Sequence, residues 1–254
     1  MILPISSRPA LLAFTDAGRV ALLRWEFAGQ NPGTLEKFLP EGMSGERVVQ
    51  LLPLSQETEG KSVGLLSSDG RFKRLPITDF QDLSGRATSV LKLKEGVNLK
   101  RVVLCQDGQD LVVGSSTGRL LRLEVNEENL PVMGRNAQGP VLLRLLPGEA
   151  VIGAAAVNDS GTVCLATQQG SIKQLAVSEM RQCNRGDIGQ ICMRFDQRGD
   201  QVVDLQSSGT GVLGALLNDG RSVRIDSAEL AETQQLGLSS KETIAEIVPL
   251  LQER

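Results

Sequence analysis

Leu111–Leu123 reads LVVGSSTGRLLRL: an apolar run, a small polar turn closed by Gly118 and Arg119, then an apolar run carrying a cation. Such runs are too short for helices and rich in Val and Leu. A Thr-Gly tip supplies the positive φ of a tight turn, so the stretch predicts a β-hairpin. Four further stretches share the pattern: Leu11–Trp25 (LLAFTDAGRVALLRW), Val63–Leu75 (VGLLSSDGRFKRL), Val163–Leu175 (VCLATQQGSIKQL) and Val212–Ile225 (VLGALLNDGRSVRI). Their turn glycines, Gly18, Gly70, Gly118, Gly170 and Gly220, are separated by 52, 48, 52 and 50 residues. Even self-similarity at about 50 residues is the signature of a repeat architecture.

A second apolar pair follows the hairpin. In the third copy it is Val141–Leu146 and Ala150–Ala156; in the fourth it is Gln190–Phe195 and Gln201–Leu205. Four strands per repeat predict an all-β, propeller-like ring of five blades spanning residues 1–254 as one domain. Thr243–Leu250 falls where a third strand is expected in the fifth copy. Ile2–Ser6 is in register to supply that blade's fourth strand and seal the ring, hiding a sheet edge. A long β-sandwich or an open β-solenoid is the alternative for the same turns.

Composition narrows the chemistry. The 254 residues include no His and no Tyr, and only 3% are aromatic. No imidazole base, Ser–His or Cys–His pair, His metal site or phenolic nucleophile is available. Cys105, Cys164, Cys183 and Cys192 form no C-x-x-C pair, so neither a zinc ribbon nor a redox motif is expected, and Cys105 and Cys164 read as buried thiols. There is no phosphate-binding glycine loop, and Asp16, Asp69 and Asp219 read as turn residues, not calcium ligands. No metal and no cofactor is expected. Without a signal peptide or an 18-residue apolar run, the chain reads as cytosolic, with no membrane partner.

The third repeat carries a resemblance. Gly118 and Arg119, the segment Pro131–Gly139 (PVMGRNAQG), the strand-like Val141–Leu146 and the turn Gly148-Glu149 are similar to one blade of the C-terminal domain of a bacterial type IIA topoisomerase A subunit (DNA gyrase or topoisomerase IV). Echoes stand at Ser84–Ala87 and Arg185–Gly189. The resemblance implies a β-pinwheel, a disc whose blades exchange strands and whose rim binds and bends or wraps duplex DNA. It also implies partners: the rest of the A subunit, with the ATPase B subunit reached through it. The strand-cutting tyrosine of that family lies in another region. With no tyrosine here, the chain is expected to be a non-catalytic part of a larger enzyme, monomeric in isolation and bound to the nucleoid.

One departure bears on wrapping. Gyrase carries a basic box of the form Q-R-R-G-G-K-G. The nearest stretch is Cys183, Asn184, Arg185, Gly186, Asp187, Ile188 and Gly189, which keeps Arg185, Gly186 and Gly189. The resemblance therefore implies weaker wrapping than in a typical gyrase.

Net charge is −3, an objection to phosphate binding. It is uneven: residues 61–122 hold 11 basic against 6 acidic, and residues 200–254 hold 4 against 9. One residue past the turn glycines come Arg19, Arg71, Arg119 and Arg221, with Ser171 the exception; four past come Arg74, Arg122 and Arg224, with Leu22 and Gln174 the exceptions. A position repeated from blade to blade predicts a belt of guanidiniums suited to DNA backbone, extended by Lys73, Arg86, Lys92, Arg135, Lys173, Arg185 and Arg194. Read from the residues alone, the same arginines equally suit cross-strand pairing with acids on a solvated hairpin. A protein-interaction propeller without DNA binding is the alternative function, and a propeller enzyme a more distant one.

Overall fold

The computed structural model describes residues 11–23, 35–54, 59–208, 211–230 and 233–249. These are almost wholly β, with a few short 3-10 turns. The five hairpins form where the repeat places them: β1 (Leu11–Thr15) with β2 (Arg19–Leu23), β4 (Lys61–Ser67) with β5 (Phe72–Pro76), β8 (Asp110–Ser115) with β9 (Arg119–Glu124), β11 (Thr162–Thr167) with β12 (Ser171–Ala176), and β15 (Val212–Leu217) with β16 (Ser222–Asp226). Gly118 shows why the tip must be glycine. Its φ is +80°, and a Cβ there would lie 2.5 Å from the Met193 carbonyl oxygen.

A strand from the end of each repeat pairs with the hairpin's first strand. These are β3 (Val48–Pro53), β7 (Leu99–Gln106), β10 (Val151–Val157), β14 (Val202–Ser207) and β18 (Ile244–Pro249). The other flank is covered from the following repeat: β6 (Thr88–Ser89) lies on β2, β13 (Gln190–Ile191) on β9, and β17 (Thr233–Gln235) on β12. In blade 2 the same place is taken by Val141, bridged to Arg71. Five small antiparallel blades result, and they exchange strands.

Two expectations are corrected. Val141–Leu146 and Gln190–Phe195 are not third strands of their own repeats. They pair for only a residue or two, on the preceding hairpin, because that hairpin's outer strand otherwise leaves a row of unpaired backbone groups. Thr243–Leu250 holds the place of a fourth strand, since Ile244–Pro249 pairs with β15 as Val202–Ser207 pairs with β11. The fifth repeat reaches this strand 24 residues after its turn glycine, against 32 in the fourth, and the shortened loop misplaces it in a count of intervals. Ile2–Ser6, expected to complete the fifth blade, lies outside the described residues.

The described residues group into two compact bodies, one from those within 11–107 with Asn126–Val141, the other from Gly108–Val125 with those within 142–249. Asn126–Val141 belongs to the third repeat by sequence and to blade 2 by packing, the strand exchange seen at body level. The first body is built on Leu12, Phe14, Val63, Leu65, Leu75 and Phe80, with the Phe14 and Phe80 rings tilted at 5.7 Å. In the second body β11 is buried on both faces. Val163 and Leu165 pack toward blade 3, Cys164 and Ala166 toward blade 5. The two-residue side-chain period of a strand sends alternate residues to opposite faces, so a central blade reads as a continuous apolar run.

Candidate nucleic-acid interface

The hairpin arginines divide into two groups. Arg74 is 1% exposed; its Nε donates to the Leu130 carbonyl at 2.5 Å, and its guanidinium pairs with Asp107 and, at 2.9 Å, with Glu127. Arg122 donates to the carbonyls of Val177 (2.8 Å) and Met180 (3.0 Å) and pairs with Asp110 (2.7 Å) and Asp159 (3.0 Å). Arg119 is forked onto Glu149, its Nε 2.8 Å from Oε1. Burial pushes the Glu149 carboxyl up. The hydrogen bonds from Arg119, Thr117 and the Leu146 amide outweigh that and hold it at about 2. These charges are inside and paired, the condition under which burial of a charge is tolerated.

Lys73 is also buried, and its Nζ donates to the carbonyls of Gly134 (3.0 Å), Arg135 (2.8 Å) and Ala137 (3.1 Å). Burial lowers its pKa to about 8, which leaves it charged at neutral pH. The expected belt is therefore corrected for Lys73, Arg74, Arg119 and Arg122: the covering segment of the next repeat seals them in. Arg19 pairs with Glu46. Half-buried Arg71 pairs with Asp69 at 3.3 Å and donates to the Gly139 carbonyl, and half-buried Lys173 donates to the Cys192 carbonyl. Arg221 and Arg224 stay open, 63% and 65% exposed, beside Asp219, Glu242 and Asp226.

The box stretch is a structural clip. Cys183 is buried and its amide donates to the Arg122 carbonyl at 2.8 Å. The Asn184 amide donates to the Asp187 carboxylate, the Gly186 amide to the Leu142 carbonyl, and the Arg144 amide to the Asp187 carbonyl. Gly189 passes so close to β9 that a Cβ would lie 2.4 Å from the Leu120 carbonyl oxygen. Arg185 and Ile188 are exposed. Burial pushes the thiols of Cys105 and Cys164 up to about 12.

Exposed cations on the covering segments include Arg86, Lys92, Lys94, Arg135, Arg144, Arg185 and Arg194. Three share one register position. Ser89 pairs with Arg19, Val141 with Arg71 and Ile191 with Arg119; three residues further on come Lys92, Arg144 and Arg194. Lys94 and Arg144 are absent from the sequence-derived set. Measured from the turn glycines the three positions fall 22, 26 and 24 residues on, so a fixed offset does not find them, and only the strand pairing aligns them. Among the described residues no cluster of His, Cys, Asp and Glu could hold a metal ion. No helix among them is long and apolar enough to cross a membrane.

The family model described as DNA gyrase C-terminal domain, β-propeller, matches residues 65–106, 109–158 and 161–208. The A subunit of DNA topoisomerase 4 from Synechocystis sp. is 26% identical over 231 residues, covering 82% of this chain and 24% of that protein. The DNA gyrase A subunit of Mycobacterium tuberculosis is 26% identical over 206 residues, 78% and 24%. The chain thus spans about a quarter of the length of these curated relatives. A solved DNA gyrase A C-terminal domain superposes with a TM-score of 0.80 at 14% identity, over 96% of this chain and 83% of that one. The C-terminal domain of DNA topoisomerase IV gives 0.77 at 15% identity, over 94% and 78%. At these identities the structural likeness speaks to the fold.

Proposed function

Given that the chain belongs to the DNA gyrase C-terminal domain, β-propeller, family, we propose that it is a non-catalytic module that binds and bends duplex DNA for a type IIA topoisomerase. Its partners in this reading are the rest of the A subunit, with the ATPase subunit reached through it, and the DNA of the nucleoid. The observation that carries the reading is the repeated exposed cation Lys92, Arg144 and Arg194 at one register position of successive covering segments. Each meets phosphate without the cost of breaking a buried pair, whereas the sealed arginines would first have to abandon their carboxylates. Backbone contacts of this kind position DNA and leave its deformability to set preference.

The box supports binding with weak wrapping. Asp187 brings a negative charge and engages it with the Asn184 amide, Ile188 offers no charge, and Arg185 alone is an exposed cation there. The test is titration of a labelled linear duplex at several salt concentrations. Changing Lys92, Arg144 and Arg194 together to Glu lowers the slope of log affinity against log salt by roughly 3, about 0.9 for each phosphate no longer neutralised. Salt-insensitive or absent binding by the unaltered chain at low ionic strength sinks the reading. In a relaxed-circle assay with a nicking–closing enzyme, bending without wrapping leaves the linking number unshifted.

A second reading, a protein-interaction propeller, draws on Ile188 and Ile191, apolar and exposed on the same segment. It predicts that the triple Glu variant binds duplex no worse than the unaltered chain.

A further inference from the structure

Lys73 reads from the sequence as a phosphate contact, but its ammonium is buried and gives all three of its protons to one loop. Nζ lies 3.0, 2.8 and 3.1 Å from the carbonyl oxygens of Gly134, Arg135 and Ala137. Three donors meet three acceptors, and none is left for a ligand. The loop closes on itself through the Ala137 amide and the Gly134 carbonyl, at 3.1 Å. Its position is set further by Gly139 (φ +80°), whose missing Cβ would lie 2.1 Å from the Phe72 carbonyl oxygen. Between these anchors stands Arg135, exposed, with its guanidinium donating to the Asp79 carbonyl at 2.6 Å. Blade 3 has buried Leu121 where blade 2 has Lys73, and so lacks such an anchor.

We propose that Lys73 is a positioning residue that presents Arg135 to DNA, holding Gly134–Ala137 by its carbonyls, and does not itself touch phosphate. The proposal rests on the DNA-binding reading and deepens it. An ammonium caged by carbonyls fixes three backbone groups of a segment that has no strand ladder of its own, so Arg135 meets phosphate with little ordering left to do.

The test is a double-mutant cycle in the 254-residue chain, read by titration of a fluorescein-labelled 40-base-pair duplex. Arg135→Ala is expected to weaken binding about three- to fivefold, the size of one exposed charge contact. Lys73→Met, of similar length and without donors, is expected to weaken it equally. The double variant should be no weaker than either single one, and Lys73→Arg, which keeps donors, should recover part of the loss. Independent, multiplying effects would make Lys73 a contact in its own right and overturn the proposal, as would a neutral Lys73→Met. Should Lys73→Met fail to fold, hydrogen exchange of the unaltered chain decides. Protection of the Ala137 amide close to that of β5 supports the anchor; exchange at the rate of a free loop overturns it. Absence of DNA binding by the unaltered chain strikes the parent reading, while the exchange result still decides the anchoring.

Discussion

Blades 3 and 5 carry nearly the same hairpin, GRLLR at Gly118–Arg122 and GRSVR at Gly220–Arg224, and treat its arginines in opposite ways. In blade 3, β9 lies between β8 and β13. Arg119 and Arg122 are sealed, with side chains 6% and 9% exposed. In blade 5, β16 pairs only with β15 among the described residues, and both arginines face solvent. The same motif is a structural ion pair where the next repeat covers it and a surface charge where no described segment does. A guanidinium becomes part of a core when its neighbours exclude water and supply carboxylates and carbonyls. The hairpin supplies Asp110 to Arg122, while the Val177 and Met180 carbonyls come from the following repeat.

The sharpest way to break this comparison is to remove one arginine from each blade. Arg122→Ala leaves Asp110 buried without its cation and is expected to cost about 3–5 kcal/mol. Arg224→Ala is expected to cost no more than about 0.5 kcal/mol. Urea denaturation of the two variants measures both, and equal losses would contradict the assignment of Arg122 to the core.

The turn glycines give a second, smaller contrast. Gly118 and Gly220 both have positive φ, +80° and +86°, so alanine strains each by about 1–2 kcal/mol. A Cβ at Gly118 also meets the Met193 carbonyl oxygen at 2.5 Å, whereas at Gly220 nothing lies within 4 Å. Thermal melts should therefore place Gly118→Ala clearly below Gly220→Ala; the reverse order would show that the Met193 carbonyl, just past β13, does not press on the turn.

Acid separates the blades more gently. Glu149 has its folded pKa held at about 2 against an ordinary 4.5. A depressed carboxyl stabilises the fold fully above the unfolded pKa, and that contribution fades as pH falls from about 4.5 toward 2. Melting temperatures of the unaltered chain and of Glu149→Gln should differ most above pH 5 and converge near pH 2. A difference independent of pH would mean that Glu149 acts through packing and not through its charge.

Much of the architecture is legible because turn chemistry and strand pattern are local. The Thr-Gly tip at Gly118 calls for positive φ whatever surrounds it, and Val163–Ala166 read as a short apolar strand. The site is only half legible. Arg86, Lys92, Arg135, Arg185 and Arg194 follow from the sequence and are exposed. Lys73, Arg74, Arg119 and Arg122 follow from it equally and are buried. Arg144 escapes a sequence count because loops of different length carry it to a different offset from its turn glycine than Lys92 or Arg194. Charge in a sequence gives sign and order; exposure depends on which segment crosses over it, and here that segment comes from the following repeat.

The amino-acid sequence by itself determined the number of blades, the positions of the hairpins and the absence of histidine and tyrosine chemistry, since these follow from residue type, from turn patterns local to each hairpin and from their recurrence about every 50 residues. Only the tertiary structure decided which arginines are structural, that the box stretch clips β9 to Leu142–Arg144, and that Lys73 holds a loop. Those outcomes rest on segments distant in the sequence, in part exchanged between repeats, where burial and ion pairing arise from residues some 30 to 70 positions apart.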